Sequence, residues 1–586
     1  MNLKIAMNSF DPWPGEIEKN RDAIISEILV QKKKNTDLLI FPEMALGGYC
    51  LGDLHKDESF IERQKKALGE IVAASSGITI VLGLTVQGMD SQRMSDGSPA
   101  RYNGYAVISD GEVIAMGKKT LLVDEGVLED SRYFLLGDEK EINTVEITVR
   151  GEKIKAGVLV CQDMWDDFSR VHVAETLKKK GASFLIVINS SPFYVGKLSR
   201  RIDTALRRVS ETGLQLVYVN ASGIQDIGKN IVIFDGRSFA VTPQSVIIQR
   251  GFTDESLEFE MSTSAFVEKL PSYTVKEDIA VLSDALIYTL REFFRRSKVF
   301  SGAVIGLSGG IDSALDALLL SRALGSDKLL CVNMPGKYNS TTTRSIASRI
   351  AMALECTYMI HPIQEIVDLK KRLLIESLGS VKDITMENLQ ARIRGSILME
   401  YSQETNYMVI GNGNKTEFQR GYATLYGDIL GAVMPLGDVP KLKVFELARH
   451  LDPDYEILPE EIFSIKPSAE LSVNHNVDEN QGDPFDYYVE SPLGVELIER
   501  NADEIELVEK FRKKTLSSDI WVSDPQGKTV YDKFTPDEFS GYIRGLISAI
   551  RGSYFKRVQA PPIPVVSPRA FGLDFRESLF IPPGVK

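Results

Sequence analysis

The stretch that most constrains the fold is AVIGLSGGIDSAL, residues 303–315. An apolar run of strand length ends in Ser308-Gly309-Gly310, and a helical pattern opens at Ile311-Asp312-Ser313. Glycines let the backbone approach an anion closely. Free N–H groups at a helix N-terminus point at that anion with a favourable dipole. Ser308 and Ser313 add hydroxyl donors. The stretch is neither GxxxxGK[ST] nor GxGxxG. Regular alternation follows: KLLCVNMP reads as strand, TTTRSIASRIAMAL as helix and TYMIHPI as strand. Such alternation predicts a doubly wound parallel sheet with ligands at the strands' C-terminal ends. A Gly-rich turn capped by Asp and Ser is the bland alternative, and the motif's place at a strand end argues against it.

At 586 residues the chain exceeds one usual core, so at least two domains are expected. Residues 262–278, STSAFVEKLPSYTVKED, mix polar residues with a proline and mark the boundary. The domains are therefore drawn at 1–265 and 275–586. The first is strand-rich: TDLLIFPEM, ITIVLGLTV, KIKAGVLVC, SFLIVINSS and LQLVYVNAS are apolar runs with polar or Gly/Pro punctuation. Helical patterns such as EIEKNRDAIISEILVQKKK lie between them, and RYNGYAVISDGEVIAMGKK reads as a hairpin turning on Asp110-Gly111. Strands buried on both faces with helices outside predict a layered α/β domain. The second domain opens with an amphipathic helix over about 279–296. NHNVDENQGDP reads as a mobile loop, and the proline-rich QAPPIPVVSPRAFG as an extended segment on the surface.

Composition narrows the function. A net charge of −13 disfavours nucleic-acid polymers and anionic membranes as partners. No apolar run reaches the roughly 18 residues of a membrane span. MNLKIAMNSF alternates like a strand, without a signal-peptide core. Four cysteines in so long a chain form no disulfide framework and no CxxC pair, so a reducing cytoplasm is expected. None of the five histidines lies in HExxH, which disfavours histidine-based zinc or triad chemistry.

Two further stretches are dense in chemistry. In GNGNKTEFQRGYATLYGD, 411–428, Lys415 can neutralise phosphate. Glu417 can join Asp312 in holding Mg²⁺, which prefers carboxylate and phosphate oxygens. In ENLQARIRGSILMEYS, 387–402, Arg392 and Arg394 diverge by about 200° on a helix, so one faces a ligand and the other a neighbour. The SGGxDS motif resembles the PP-loop of ATP pyrophosphatases. With NLQARIR, GNGNKTE…GYATLYGD, MPGKYNSTTTRSIA, Lys441 in DVPKLKVFELA, and Ser468 and Glu470 in IKPSAEL, the second domain resembles NAD⁺ synthetase. The resemblance implies ATP at Ser308, Gly309, Gly310, Asp312, Ser313, Lys441 and Ser468. It implies deamido-NAD at Asn388, Arg392, Arg394, Lys415, Thr416, Tyr422, Thr424 and Asp428, and Mg²⁺ at Asp312 and Glu417. The implied reaction adenylates the nicotinate carboxylate, and ammonia then displaces AMP.

Cys161 ends the apolar run GVLVCQDMW. Taken alone it reads as a core thiol, as Cys50, Cys331 and Cys356 do. Glu43 in FPEMALGGYC and Lys119 in MGKKTLLVDEG also stand at strand ends. Glu–Lys–Cys in that order resembles the nitrilase-type amidohydrolases, an α-β-β-α sandwich in which Cys attacks an amide, Glu moves its proton and Lys stabilises the oxyanion. Aligning Arg132-Tyr133-Phe134 with that family's Lys-x-x-Leu…Arg-Tyr-Phe pattern implies Lys119, with Leu122 as the Leu, over Lys118. NSSPFYVGKLSRR places Ser191, Lys197 and Arg201 at matching positions. The whole chain thus resembles the glutamine-dependent NAD⁺ synthetases, and that resemblance implies homo-oligomers and an enclosed path for ammonia. Two positions depart from the family's glutamine pocket. Gln162 follows the cysteine where the family has Glu, and Val123-Asp124-Glu125 replaces Pro-Asn-Tyr. Glu125 compensates for the lost carboxylate if it points inward. Three alternatives stay open: an ammonia-dependent enzyme with an altered amidase, another acceptor for the adenylate, and a nucleotide sensor without turnover.

Overall fold

Two six-stranded sheets make up the first unit, Met1–Ile227 with Val232–Lys276. The computed structural model describes residues 2–576 except 90, 276–277, 518–520 and 573. In chain order the elements are β1 (Asn2–Asn8), α1 (Ile17–Lys33), β2 (Leu38–Ile40), α2 (Glu58–Ala74), β3 (Thr79–Gln87), β4 (Arg101–Ser109), β5 (Glu112–Lys118) and the short α3 (Asp130–Tyr133). Then come β6 (Val145–Val149), β7 (Glu152–Val160), α4 (Val173–Lys179), β8 (Phe184–Asn189), α5 (Lys197–Thr212) and β9 (Leu216–Asn220). A separate ribbon, β10 (Ser222–Asp226) and β11 (Asn230–Asp235), precedes β12 (Phe239–Val241), β13 (Val246–Ile248) and β14 (Ser256–Ser262).

One sheet runs β14-β1-β2-β3-β4-β5 and the other β13-β12-β9-β8-β7-β6. Their facing sides share one core, including Ile5, Ile40, Val81, Val158, Ile186 and Val217. Helices α1 and α2 cover the outer face of the first sheet through Ile24, Ile28, Phe60 and Ile71. Helices α4 and α5 cover the second through Leu177, Ile202 and Val209. The layers are thus α-β-β-α, as expected. Strand position explains the sequence pattern. The edge strand β6 alternates buried and exposed residues, while β8 is buried along its whole length between two layers. The β4–β5 hairpin turns on Asp110 and Gly111, whose φ of 50° and 83° supply the two positive values of a type I′ turn.

The second unit, Gly228–Ile231 with Glu277–Lys586, is built on strand–helix alternation. Its elements are α6 (Asp278–Ser297), β15 (Gly302–Gly306), α7 (Ile311–Leu324), β16 (Leu329–Asn333), α8 (Thr341–Ala353), β17 (Thr357–Ile360), α9 (Gln364–Leu378), α10 (Asp383–Thr405), β18 (Tyr407–Ile410), α11 (Lys415–Arg420) and α12 (Lys441–Leu451). All three pairings in the order β17-β16-β15-β18 are parallel. The chain moves outward from β15 to β17 on one side and returns to β18 on the other. The order therefore reverses between β15 and β18, and the crevice past their C-terminal ends is where such sheets bind ligands.

Two local expectations change. Residues 474–484 are anchored. They follow or form 3₁₀ turns at Val473–His475 and Val477–Glu479, and Asp478 accepts hydrogen bonds from the hydroxyls of Thr341 and Thr342. The proline-rich 559–572 is extended but buried, with Ile563, Val565, Val566, Ala570 and Phe571 in the core. Its apolar residues between prolines are what the surface reading overlooked. Among the described residues, no helix is long and apolar enough to cross a membrane.

Candidate active sites

The first site lies between the two sheets. Glu43 follows β2 and Lys119 follows β5, both from the first sheet; Cys161 follows β7 and Ser190 follows β8, from the second. Gly83 on β3 admits the Glu43 turn, because a Cβ there would lie 2.3 Å from the Pro42 carbonyl oxygen. Glu43 and Lys119 are fully buried. The Lys119 Nζ lies 2.9 Å from Glu43 Oε1 and 2.8 Å from Asp130 Oδ2. Asn103 donates to Glu43 Oε1 at 2.6 Å, and the Ser190 N–H donates to Oε2 at 2.6 Å. Tyr49 donates to the other Asp130 oxygen at 2.5 Å. Burial works against the charge on Lys119, but Asp130 and Glu43 outweigh it and hold its pKa well above the usual value. Lys118, one residue earlier, instead pairs with Glu141 at 2.9 Å.

Cys161 is 6% exposed and takes a left-handed φ of 45°. Holding a non-glycine residue there costs about 1–3 kcal/mol. Asp163 supports the turn, accepting from the N–H of Val160 at 3.0 Å, Thr120 at 3.0 Å and Leu121 at 2.8 Å. One carboxylate thus ties the cysteine turn to the chain leaving Lys119. Burial pushes the Asp163 pKa up to about 7. Burial and the Glu43 carboxylate push the Cys161 thiol up, while Lys119 draws it down.

Lys197 opens α5 with its amine 4.7 Å from the Trp165 ring and 5.0 Å from the Tyr194 ring. Burial, with Arg201 and Arg200, pushes its pKa down to about 8, and both Cys161 and Glu125 act on it in the opposite sense. Glu125 is exposed and Gln162 half-buried. The Ser191 hydroxyl accepts from Arg201 Nε at 3.1 Å, and Arg201 pairs with Asp235 at 2.7 Å.

The second site gathers past β15 and β18. Ser308 and Ser313 hydroxyls lie 3.0 Å apart, and the Gly310 N–H donates to Ser308 Oγ at 3.2 Å. Gly309, at φ 90°, has no room for a side chain: a Cβ would lie 2.0 Å from the Thr343 carbonyl oxygen. After β18, Asn412 donates to the Gly306 carbonyl at 2.9 Å and Asn414 to Asp312 Oδ1 at 2.9 Å. Lys441 bonds Asp312 Oδ2 and lies 3.4 Å from Glu417 Oε1. Tyr487 donates to Asp483 at 2.8 Å and lies 3.4 Å from Glu417. Burial, with Asp312 and Asp483, pushes the Glu417 pKa up to about 8 against the pull of Lys441. Asp316, one helical turn beyond Asp312, is fully buried, and neither oxygen has a hydrogen-bond partner among the described residues. Burial, with Asp312 and Glu417, raises its pKa well above the usual carboxylate value.

The chain matches two known families. The carbon-nitrogen hydrolase family model matches residues 4–258, and the NAD synthase model residues 283–519. A glutamine-dependent NAD(+) synthetase of Acinetobacter baylyi is 34% identical over 477 residues, covering 80% of this chain and 84% of that one. One from Xylella fastidiosa is 31% identical over 588 residues, covering 98% of each. The chain belongs to the glutamine-dependent NAD⁺ synthetase family. The solved structure of the family member from Acinetobacter baumannii, in complex with ADP, is 28% identical and superposes with a TM-score of 0.71 over 99% of this chain and 98% of that one. One from Cytophaga hutchinsonii, at 19% identity, shares the fold with a TM-score of 0.76 over 97% and 95%.

Within this family member, some expected site residues lie elsewhere. Lys415 is 2% exposed. Its amine reaches Asp438 at 2.9 Å, Glu499 at 2.6 Å, Ser567 at 2.7 Å and the Arg569 carbonyl at 2.9 Å. That corrects the expectation of a phosphate-facing lysine: the ammonium is already satisfied and pins the C-terminal segment. Lys415→Met strands two buried carboxylates. It is expected to destabilise the unit by about 3–5 kcal/mol, read as a fall in the urea midpoint. Thr416 is buried, and its hydroxyl accepts the Lys441 N–H at 3.0 Å.

Asn388, Thr424 and Asp428 do come together: Thr424 donates to Asn388 at 2.8 Å, and its N–H to Asp428 at 2.8 Å. Tyr422 packs edge-on to Phe485, with ring centroids 5.2 Å apart. Arg392 is exposed and donates to the Leu425 carbonyl at 3.1 Å. Arg394 donates to the Met334 carbonyl at 3.1 Å and Asn339 at 3.0 Å, and desolvation pushes its pKa down to about 10. Ser468 donates to the His475 carbonyl at 2.7 Å. Glu470 accepts from the Ser340 N–H at 3.1 Å and the Thr343 hydroxyl at 2.8 Å. Sequence reading missed Asn103, Asp130 and Asp163 in the first site and Asn414, Asp483 and Tyr487 in the second.

Proposed function

We propose that the chain makes NAD⁺ from deamido-NAD, ATP and glutamine, with an amidase in the first unit and a synthetase in the second. One arrangement carries the reading: Lys119 held between the Glu43 and Asp130 carboxylates, with Cys161 close enough for both Glu43 and Lys119 to act on its thiol. Cys161 attacks the side-chain amide carbon of glutamine. Glu43 takes the thiol proton and returns it to the departing nitrogen, so ammonia leaves and a thioester remains. Lys119 stabilises the oxyanion, typically worth a few kcal/mol. Glu43 then activates the water that releases glutamate.

In the second unit, Ser308, Gly309, Gly310 and Ser313 cradle the β,γ-pyrophosphate of ATP. Lys441 and Ser468 hold the nucleotide. Asn388, Arg392, Arg394, Tyr422, Thr424 and Asp428 hold deamido-NAD. The nicotinate carboxylate attacks the α-phosphorus and pyrophosphate leaves; ammonia then attacks the acyl carbon and AMP leaves. The ammonium of Lys441 between Asp312 and Glu417 supports this pair as a cation site. Two carboxylates with phosphate oxygens suit Mg²⁺, which neutralises phosphate charge when bound. Free thiols at all four cysteines support a cytoplasmic setting, and exposed Leu369, Leu373 and Leu378 on α9 support a homo-oligomer.

The test follows NAD⁺ and pyrophosphate with ATP, Mg²⁺ and deamido-NAD, using glutamine or ammonium chloride. Both nitrogen sources should work. Ammonium alone working identifies an altered amidase; no pyrophosphate with either source identifies a sensor. Glutamine specificity rests on Ser191, Gln162, Lys197 and Glu125, with Lys197 taking the α-carboxylate and Glu125 the α-ammonium. The effect of both Glu125 and Cys161 on Lys197 supports that pairing. Glu125→Ala is expected to raise the glutamine KM about tenfold or more with ammonium-driven rates unchanged. An unchanged KM would remove Glu125 from the pocket.

A further inference from the structure

Two thiols outside both sites stand side by side. Cys331 lies mid-strand in β16 and is fully buried; Cys356 sits in the turn between α8 and β17 and is half-buried. Their sulfurs are 3.5 Å apart. The strand register sets Cys331 opposite Tyr358, so Cys356 lies just ahead of the paired part of β17, which begins at Thr357. The flanking residues Glu355 and Thr357 are exposed, which gives a small solute a way to Cys356 but not to Cys331. Cys356 Sγ, 3.5 Å from Cys331 Sγ and 3.6 Å from the Ala351 carbonyl oxygen, is thus the accessible sulfur of the pair.

We propose that Cys331 and Cys356 are an oxidation site that closes to a disulfide when the protein meets a hydroperoxide. The Cys356 thiolate attacks the terminal peroxide oxygen, the O–O bond breaks, and the departing oxygen takes a proton and leaves as water or alcohol. Cys356 is then a sulfenic acid. The Cys331 sulfur attacks it, the S–O bond breaks, and hydroxide leaves with the Cys331 proton as water. Two thiols lose two electrons and one hydroperoxide gains them.

The disulfide has a structural consequence. Its sulfurs must close from 3.5 Å to about 2.05 Å. Cys331 is two residues from Asn333, whose Nδ2 donates to the Leu307 carbonyl at 2.7 Å, immediately before Ser308. Movement of β16 therefore reaches the glycine loop directly. On the reading of that loop as the ATP site, the oxidised protein should show an ATP KM raised at least threefold.

The experiment treats the full-length protein with hydrogen peroxide and maps its peptides without reduction. Activity is then assayed with ammonium chloride, so that oxidation of Cys161 is not read. A peptide joining Cys331 to Cys356, a mass loss of about 2 Da for the new bond and recovery with dithiothreitol are expected. Cys356→Ser should form no link and keep its ATP KM after peroxide. Sulfinic or sulfonic acid at Cys356 without a link, or both thiols still free to alkylate, would overturn the proposal. A link with an unchanged ATP KM would overturn the coupling to the loop. If untreated protein makes no NAD⁺, the functional reading fails while the peptide map still tests the pair.

Discussion

Cys161→Ala is expected to reduce glutamine-driven NAD⁺ formation by about 10⁴-fold or to background, while ammonium chloride still supports the wild-type rate. The size follows from what remains. Glu43, Lys119 and Asp130 keep their ion pairs, but none can form the thioester. The wild-type thiol is buried, with its pKa raised by burial and Glu43. Attack therefore depends on transferring the proton as the S–C bond forms, and alanine offers neither sulfur nor proton. The ammonium arm makes the result specific, because a misfolded variant would lose both activities. Retention of glutamine-driven synthesis within tenfold would sink the nucleophile assignment.

The two folds were legible where period and punctuation agree. The second half of β7 and all of β8 are continuous apolar runs because the first sheet covers one side of their sheet and helices cover the other. The Asp110-Gly111 turn was legible because few residues other than Gly, Asn and Asp accept two consecutive positive φ values readily. SGGIDS was legible because close backbone approach leaves few residue choices.

What stayed hidden depends on partners far along the chain. Lys415 looks like any lysine near a phosphate loop until Glu499, 84 residues on, and the Arg569 carbonyl, 154 residues on, take its amine. Asp130 sits in LEDSRYF, a run that reads as a solvated surface turn; tertiary packing buries it against Lys119. Asp483 lies in the polar NQGDP, where charge density reads as mobility. The hydrogen bond from Tyr487 and the ammonium of Lys441 make it part of the acidic recess. Charge alone does not reveal whether its counterion is water or a distant residue.

Asp312→Asn is expected to lower NAD⁺ formation by about 10²–10³-fold with either nitrogen source, and to remove pyrophosphate release in the same proportion. Asp312 has two partners. It accepts from Asn414 at 2.9 Å and bonds the Lys441 ammonium, which also lies 3.4 Å from Glu417. The amide keeps the size of the side chain but removes one of the two carboxylate charges facing Lys441. Its NH₂ then meets either an amide or an ammonium, both donors, so the residues around the loop lose their fixed positions. A structural role alone would show as a lowered melting temperature with a rate per folded molecule near normal. A role at the phosphates shows as a normal melting temperature, a lost rate and a shifted Mg²⁺ requirement. The comparison with Cys161→Ala separates the units: one variant is rescued by ammonium, and the other is not. If Asp312→Asn keeps ammonium-driven synthesis within twofold, the acidic recess is not where ATP chemistry occurs.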